Sequence, residues 1–283
     1  MSGGSRLVIT GETAQVDLSG CDAQVAGPTS APLASTNAAV VFALMCCANF
    51  SLHKSAGCYR QISVIAPEGL VVNARHPAPV THRLLNATMG ALHQAGPNLI
   101  SAAYYGNSYV TTFETVQDRA ARDVLGEIVI GGSSAHPTKD GVNAYAFSIH
   151  NNSNISIGIV EVELPLTVLR YALREGSGGA SGFGGGLGLV REWRIDSASC
   201  VFTADMDRFD HAPYGQAGGG EAAKGALSLR REGVESAIAP KTDNLKLQQG
   251  DVVRLETSGA CGFGSVEACE VDATARDPRM GYT

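Results

Sequence analysis

The sequence predicts a strand-rich α+β fold with two apolar helices toward its N-terminal part. Three observations carry this. Two segments before residue 100 have helical character. Beyond residue 100 the chain is a series of short strand-like runs between Gly, Pro and Asp breakers. Nowhere does a β-α-β alternation suggest a doubly wound parallel sheet. With no internal repeat and no convincing linker, the expectation is one domain over residues 1–283. Its helix-containing part covers about 1–125 and its strand-rich part about 126–283.

The elements follow in order. Leu7–Thr10 and Ala14–Leu18 read as strands, closed by Ser19-Gly20. A helix is expected from about Asn37 to Asn49, with Ser35 or Thr36 as N-cap. It is apolar on all sides (Val40, Val41, Phe42, Leu44, Met45), which predicts a buried helix. Ile62–Ala66 and Val71–Asn73 read as strands around a Pro67–Gly69 turn. A second helix runs from Thr81 to Ala95, where Leu84, Leu85, Met89 and Leu92 form one stripe and Gly96-Pro97 supplies the stop. Glu127–Ile130, Tyr145–His150, Ile155–Leu169, Gly188–Ile195, Cys200–Asp205, Ala226–Arg231 and Asp251–Thr257 are the remaining predicted strands. Tyr214–Gly225 has the glycine- and alanine-rich composition of a mobile loop.

Composition narrows the function. With 44% hydrophobic and 17% charged residues, 283 residues can bury a substantial core. A net charge of −6 argues against a nucleic-acid surface, which needs clustered Lys and Arg. The apolar run Ala38–Ala48 falls short of the roughly 20 residues that span a bilayer, and the N-terminus lacks the layout of a secretory signal. No membrane association is expected. Seven cysteines without a C-x-x-C pair suit a reduced, cytoplasmic chain better than a disulfide framework or structural zinc.

Motif searches give little by themselves. The segment Tyr171–Arg194 holds eight glycines between Gly176 and Gly188, which is wasteful unless the backbone takes positive φ or approaches another group closely. Gly178, Gly179, Gly185 and Gly186 are therefore expected to be structural. Gly182–Leu187 lacks the last glycine of a dinucleotide fingerprint and leads into a strand, whereas phosphate binding uses a helix N-terminus. Gly218–Lys224 lacks the Gly-Lys-Ser/Thr of a Walker A loop, and there is neither a G-x-S-x-G elbow nor an H-E-x-x-H helix. No cofactor is expected on this chain. The histidines (His53, His76, His82, His93, His136, His150, His211) are read as surface or capping residues, so no metal ligand is assigned. Asp17 and Asp22 flank Ser19-Gly20 as an acid/base pair would, but Asx-turn capping is the preferred reading.

Ordered blocks then add a resemblance. Val16–Pro28 (V-D-L-S-G-C-D-A-Q-V-A-G-P), Ala56–Ile62, Pro67-Glu68-Gly69 and Pro77-Ala78-Pro79-Val80 resemble successive blocks of the hydantoinase B/oxoprolinase family. So do Lys139-Asp140-Gly141, Glu161–Leu166, Ser177-Gly178-Gly179 with Gly185–Gly188, Pro213-Tyr214-Gly215, Gly250–Val253 and Gly259–Gly264. The similarity is to the C-terminal half of the family. Several polar positions differ: Ser30 and Ser55 stand for Asn, Gln61 for Pro, Gly158 for Glu, Gly176 for Asp and Gly184 for Arg.

The resemblance implies a subunit of a multi-chain ATP-dependent enzyme. Cyclic amide hydrolysis (hydantoin or lactam) is placed ahead of acetone or acetophenone carboxylation, and a non-catalytic assembly subunit is the rival. It further implies a hydantoinase A-like partner that binds ATP and Mg, and a chain supplying the hydantoinase B N-terminal half with its divalent metal. This chain would shape the chamber wall or interface. Asp17, Arg60, His76 and Asp140 are the residues that could line it.

Overall fold

The computed structural model describes residues 3–25, 30–47, 55–74, 80–117 and 121–268, and the fold is strand-rich α+β. The chain divides into two compact units between Ala103 and Tyr104. The reason is pairing. The strands just after residue 108 hydrogen-bond with a strand near residue 200 and so belong to the second unit.

In the first unit, β1 (Gly3–Thr10) and β2 (Thr13–Cys21) form an antiparallel hairpin. Helices α1 (Leu33–Cys47) and α2 (Ala56–Tyr59) precede β3 (Ile62–Ile65), which pairs parallel with β2, and α3 (Val80–Ala95) follows. The predicted stripe of α3 holds, since Leu84, Leu85, Met89 and Leu92 are all buried. Helix α1 differs in two respects. It starts at Leu33, with the Thr36 N–H donating to the Pro32 carbonyl at 3.1 Å, so Ser35 and Thr36 lie inside the first turn. The Thr36 hydroxyl instead donates to the Val72 carbonyl at 2.6 Å. Its burial is also one-sided: Thr36, Ala39, Val40 and Ala43 are buried, whereas Val41, Phe42, Leu44 and Met45 are half-buried. The expected end at Asn49 lies outside the described residues. Val71–Asn73 is a turn, not a strand, because its backbone is held by Asp22 and Ala31.

The second unit is a β-sandwich with a loop bundle attached. Its strands are β4 (Tyr109–Gln117) and β5 (Ala121–Val129), then, after α4 (Ile157–Glu163), β6 (Leu166–Leu173), β7 (Leu189–Ile195) and β8 (Ser199–Asp205). Four more follow: β9 (Ala226–Arg231), β10 (Val234–Ala237), β11 (Lys241–Gln248) and β12 (Val252–Glu256). One sheet runs β10-β9-β12-β7-β6 and the other β11-β8-β4-β5, antiparallel throughout. The inner faces meet at Phe113, Trp193 and Phe202, with ring centroids 5.3 and 5.0 Å apart. Inside this apolar core lies an ion pair. Arg191 donates to Glu127 Oε1 at 2.6 Å, and Trp193 Nε1 donates to Glu127 Oε2 at 3.1 Å. The Arg191 guanidinium sits over the Tyr171 ring, 4.3 Å from its centroid.

Two further predicted strands take other forms. Tyr145–His150 is a looped segment, because Ala144 (φ 46°) and Ser148 (φ 71°) are left-handed and interrupt extension. Ile155–Leu169 splits into α4 and the start of β6. The Ser156 side chain caps α4 by accepting from Ile159 N–H, and Leu164-Pro165 ends it.

Candidate functional site

The glycine-rich segment is the centre of a bundle of four extended stretches, 131–143, 177–188, 215–222 and 257–264, none forming a sheet strand over its length. They are joined by backbone hydrogen bonds: Gly186 N to Ser133 O at 3.0 Å, Ala260 N to Gly186 O at 2.9 Å, Gly179 N to Ala260 O at 2.9 Å and Gly220 N to Ala180 O at 2.8 Å. The stretches approach so closely that side chains are excluded. A Cβ on Gly178 would fall on the Gly185 carbonyl, on Gly179 on the Gly220 carbonyl, on Gly185 on the Ala260 carbonyl and on Gly186 on the Val142 carbonyl, each closer than 3.0 Å. Between Gly176 and Gly188 only Gly176 has a left-handed φ, so close approach rather than turn conformation explains Gly178, Gly179, Gly185, Gly186 and Gly188. Tyr214–Gly225, expected from composition to be mobile, is tied into this bundle through Gln216 and Gly220.

The N–H groups of this segment face protein acceptors. Gly182 donates to Gly264 O, Phe183 to Phe263 O, Gly185 to Gly179 O and Gly186 to Ser133 O. Gly184 donates to Asp140 Oδ1 at 2.9 Å, Leu187 to Asn143 Oδ1 at 2.8 Å and Gly188 to Ser177 Oγ at 2.9 Å. A phosphate cradle directs such donors at its ligand; here each has a protein partner. Gly184 differs from its neighbours in having open space where a Cβ would stand.

A polar–aromatic cluster adjoins this bundle. Tyr105 N–H donates to Gly132 O, and the Tyr109 hydroxyl accepts from Ser258 N–H at 3.0 Å. The His150 ring stacks on Tyr105 (centroids 5.3 Å apart, planes at 17°) and meets Tyr104 edge-on. His150 Nε2 is 2.7 Å from Ser108 Oγ, and Nδ1 is 2.9 Å from the Tyr105 hydroxyl and 3.2 Å from the Phe147 carbonyl. Burial lowers the His150 pKa, opposed by the Phe147 carbonyl. Burial, helped by Lys139, also lowers that of His136, whose ring meets Phe147 6.1 Å away.

The sequence-derived candidates fall in both units. Asp17 and Arg60 lie in the first unit and Asp140 in the second. Asp17 Oδ1 accepts from Ser19 N–H at 2.9 Å, an Asx-type turn, and hydrogen bonds from Ser19 hold its carboxyl below the ordinary range. Arg60 is exposed at the C-cap of α2. Asp140 holds the Gly184 N–H, which gives it a place in the bundle. His76 lies outside the described residues. Among the described residues no three His, Cys, Asp or Glu side chains group as metal ligands would, and no helix is long and apolar enough to cross a membrane. Among the described residues no two cysteines form a disulfide; burial pushes Cys47 and Cys261 up to about 12 and Cys200 to about 11, far from reactive thiolates. A groove of about 370 Å³ over β9, β10 and β12 is charged, but Arg254 pairs there with Glu192 and Glu256, and Ser228 with Glu235. The Ser108–His150 contact escapes sequence reading because 42 residues separate the partners and no local motif marks them.

Comparison with known proteins agrees with the bundle and the sandwich. The family model described as hydantoinase B/oxoprolinase matches residues 5–266. A Pseudomonas sp. protein described as the B-type subunit of a D-/L-hydantoinase is 29% identical over 273 residues, covering 90% of this chain and 45% of its own length. Among solved structures, the ATP-dependent caprolactamase from Pseudomonas jessenii superposes with a TM-score of 0.82 at 22% identity, covering 99% of this chain and 51% of that one. Acetone carboxylase, in a nucleotide-free structure, gives 0.84 at 16% identity, covering 99% and 43%. At those identities the two structures speak for the fold alone. The chain spans about half the length of the curated relatives it matches at 29% and 30% identity.

Proposed function

This chain belongs to the hydantoinase B/oxoprolinase family, and we propose that it is a non-autonomous subunit of an ATP-dependent enzyme that opens cyclic amides such as hydantoins or lactams. The observation that carries the reading is the family match across residues 5–266, joined to a fold that reproduces about half of the solved relatives. Hydrolysis is placed ahead of ketone carboxylation because the relative at 29% identity is described as part of a hydantoinase, whereas the carboxylase likeness rests on fold.

In this reading the chain contributes shape. The glycine bundle is a rigid wall whose N–H groups are committed internally. ATP with Mg belongs to a hydantoinase A-like partner. The divalent metal belongs to the half of the family architecture outside this sequence. Asp140 is the candidate best placed to link this wall to substrate, since it already fixes Gly184 at the open point of the bundle.

The test is reconstitution. The chain is co-expressed with a hydantoinase A-like chain and a chain carrying the other half of the family architecture, and hydantoin opening is followed with and without ATP. Ring opening that needs both ATP and this chain is expected. Full activity without this chain would leave only an assembly role, and no ATP-dependent activity in any combination would overturn the reading.

A further inference from the structure

Ser108 and His150 meet in a geometry that neither the family match nor the proposed complex uses. Nδ1 meets the Tyr105 hydroxyl at 2.9 Å and the Phe147 carbonyl, which can only accept, at 3.2 Å. In the tautomer with its proton on Nδ1 the ring satisfies that carbonyl, and Nε2 accepts from the Ser108 hydroxyl 2.7 Å away. The ring is held in this orientation by stacking on Tyr105 and by the edge of Tyr104. Nucleophile, base and orienting group thus stand in the order that activates a serine. Ser108 follows a buried run from Ile100 to Asn107 and is itself half-buried, as is His150, so both touch solvent at the point where the chain surfaces.

We propose that Ser108 is an acyl-accepting nucleophile, with His150 as its general base, for small activated esters. Ser108 Oγ attacks the carbonyl carbon while its proton passes to His150 Nε2, and the carbonyl π pair moves to oxygen. Collapse of the tetrahedral adduct expels the alkoxide or phenoxide, which takes the proton from His150; where the leaving group stays ionised, His150 passes that proton to solvent and returns to the free base. Water then attacks the acyl-serine, again giving a proton to His150, and releases the acid with Ser108 restored. The sum is ester plus water to acid plus alcohol.

The geometry also sets the pace. Ser108 N–H donates to Asn107 Oδ1 at 2.8 Å, so the donor that Ser108 could offer a developing oxyanion is committed. Losing one such donor costs about 10²–10³-fold in rate. The site is therefore a slow acyl acceptor. Its lowered pKa keeps His150 in the free-base form at neutral pH, which acylation needs. Two titratable rings meet it among the described residues: Tyr105, whose phenol burial holds protonated, and Tyr104.

The purified full-length chain is treated with an aryl fluorophosphonate, and separately with p-nitrophenyl acetate, then mapped by intact mass and peptide mass spectrometry. One adduct at Ser108 is expected, forming at a rate that rises with pH through one ionisation below the ordinary histidine value and then levels. Ser108→Ala should abolish the adduct, and His150→Gln should slow it about 100-fold. No adduct at Ser108 in the folded wild type, or labelling of His150→Gln at the wild-type rate, would overturn the proposal. If His150→Gln does not fold, the wild-type profile decides alone, and a rate that does not fall on acidification at any pH where the chain stays folded would overturn it.

Discussion

Valine at Gly185 would drive its side chain into the Ala260 carbonyl, and valine at Gly178, Gly179 or Gly186 would meet backbone in the same way. Backbone cannot swing aside as a flexible side chain does. Each substitution is expected to cost at least about 3 kcal/mol or to prevent folding, as read by urea denaturation or soluble yield. Gly184→Arg is the counter-case: open space surrounds that position and the Asp140 carboxylate holds its N–H. Its stability should change by no more than about 0.5 kcal/mol. The glycines themselves are legible in the sequence. Their cause is only half legible, because close approach depends on stretches far away in the chain. Glu127 is not legible as a core residue at all, since its carboxylate acquires meaning only beside Arg191 and Trp193. Burial raises its pKa against the pull of Arg191 and the Trp193 N–H. A raised folded pKa means this contribution to stability is complete below the unfolded value of about 4.3 and is lost as pH rises through the folded value. Glu127→Ala leaves Arg191 buried without its acid and should destabilise by about 3–5 kcal/mol.

At the level of elements, local signals decide the outcomes where composition misleads. Ile155–Leu169 is rich in β-branched residues, yet Ser156 and Pro165 bracket α4. Strand β4 escapes sequence reading although Tyr109, Thr111, Phe113 and Thr115 alternate on its buried face, and β10 and β11 escape it because their polar positions resemble loops. Helix α3 is readable from its stripe because one face alone carries the apolar residues. Helix α1 is readable as a helix, but its buried face is not, because an all-apolar sequence cannot say which side is covered. Phe113 reaches the facing sheet through Trp193 and packs on Phe202 of its own sheet, so Phe113→Ala should cost about 3–5 kcal/mol in chemical denaturation. The looped segment ending at His150 should respond to acid. With the pKa values of His136 and His150 lowered by burial, their stability contribution is present above about 6.5 and lost as pH falls through the folded values. Unfolding titrations of the wild type should show this loss, and His150→Gln should reduce it.

For the molecule as a whole, the family is legible because turn and glycine blocks keep their order along the chain, while individual polar positions have changed. The reaction is not legible, because in the proposed assembly its reactive groups sit outside this sequence. Half-buried Val41, Phe42, Leu44 and Met45 on α1, and exposed Ile159 and Val162 on α4, are the apolar surface such an assembly would cover. A member of such a complex should bury more than about 1,000 Å² against other chains. The most direct measurement is the mass of the natively purified particle by light scattering, with its chains identified by mass spectrometry. The account predicts a particle several times the 29.3 kDa of this chain that contains a hydantoinase A-like partner. A stable species of 29.3 kDa, alone at every concentration, would contradict it.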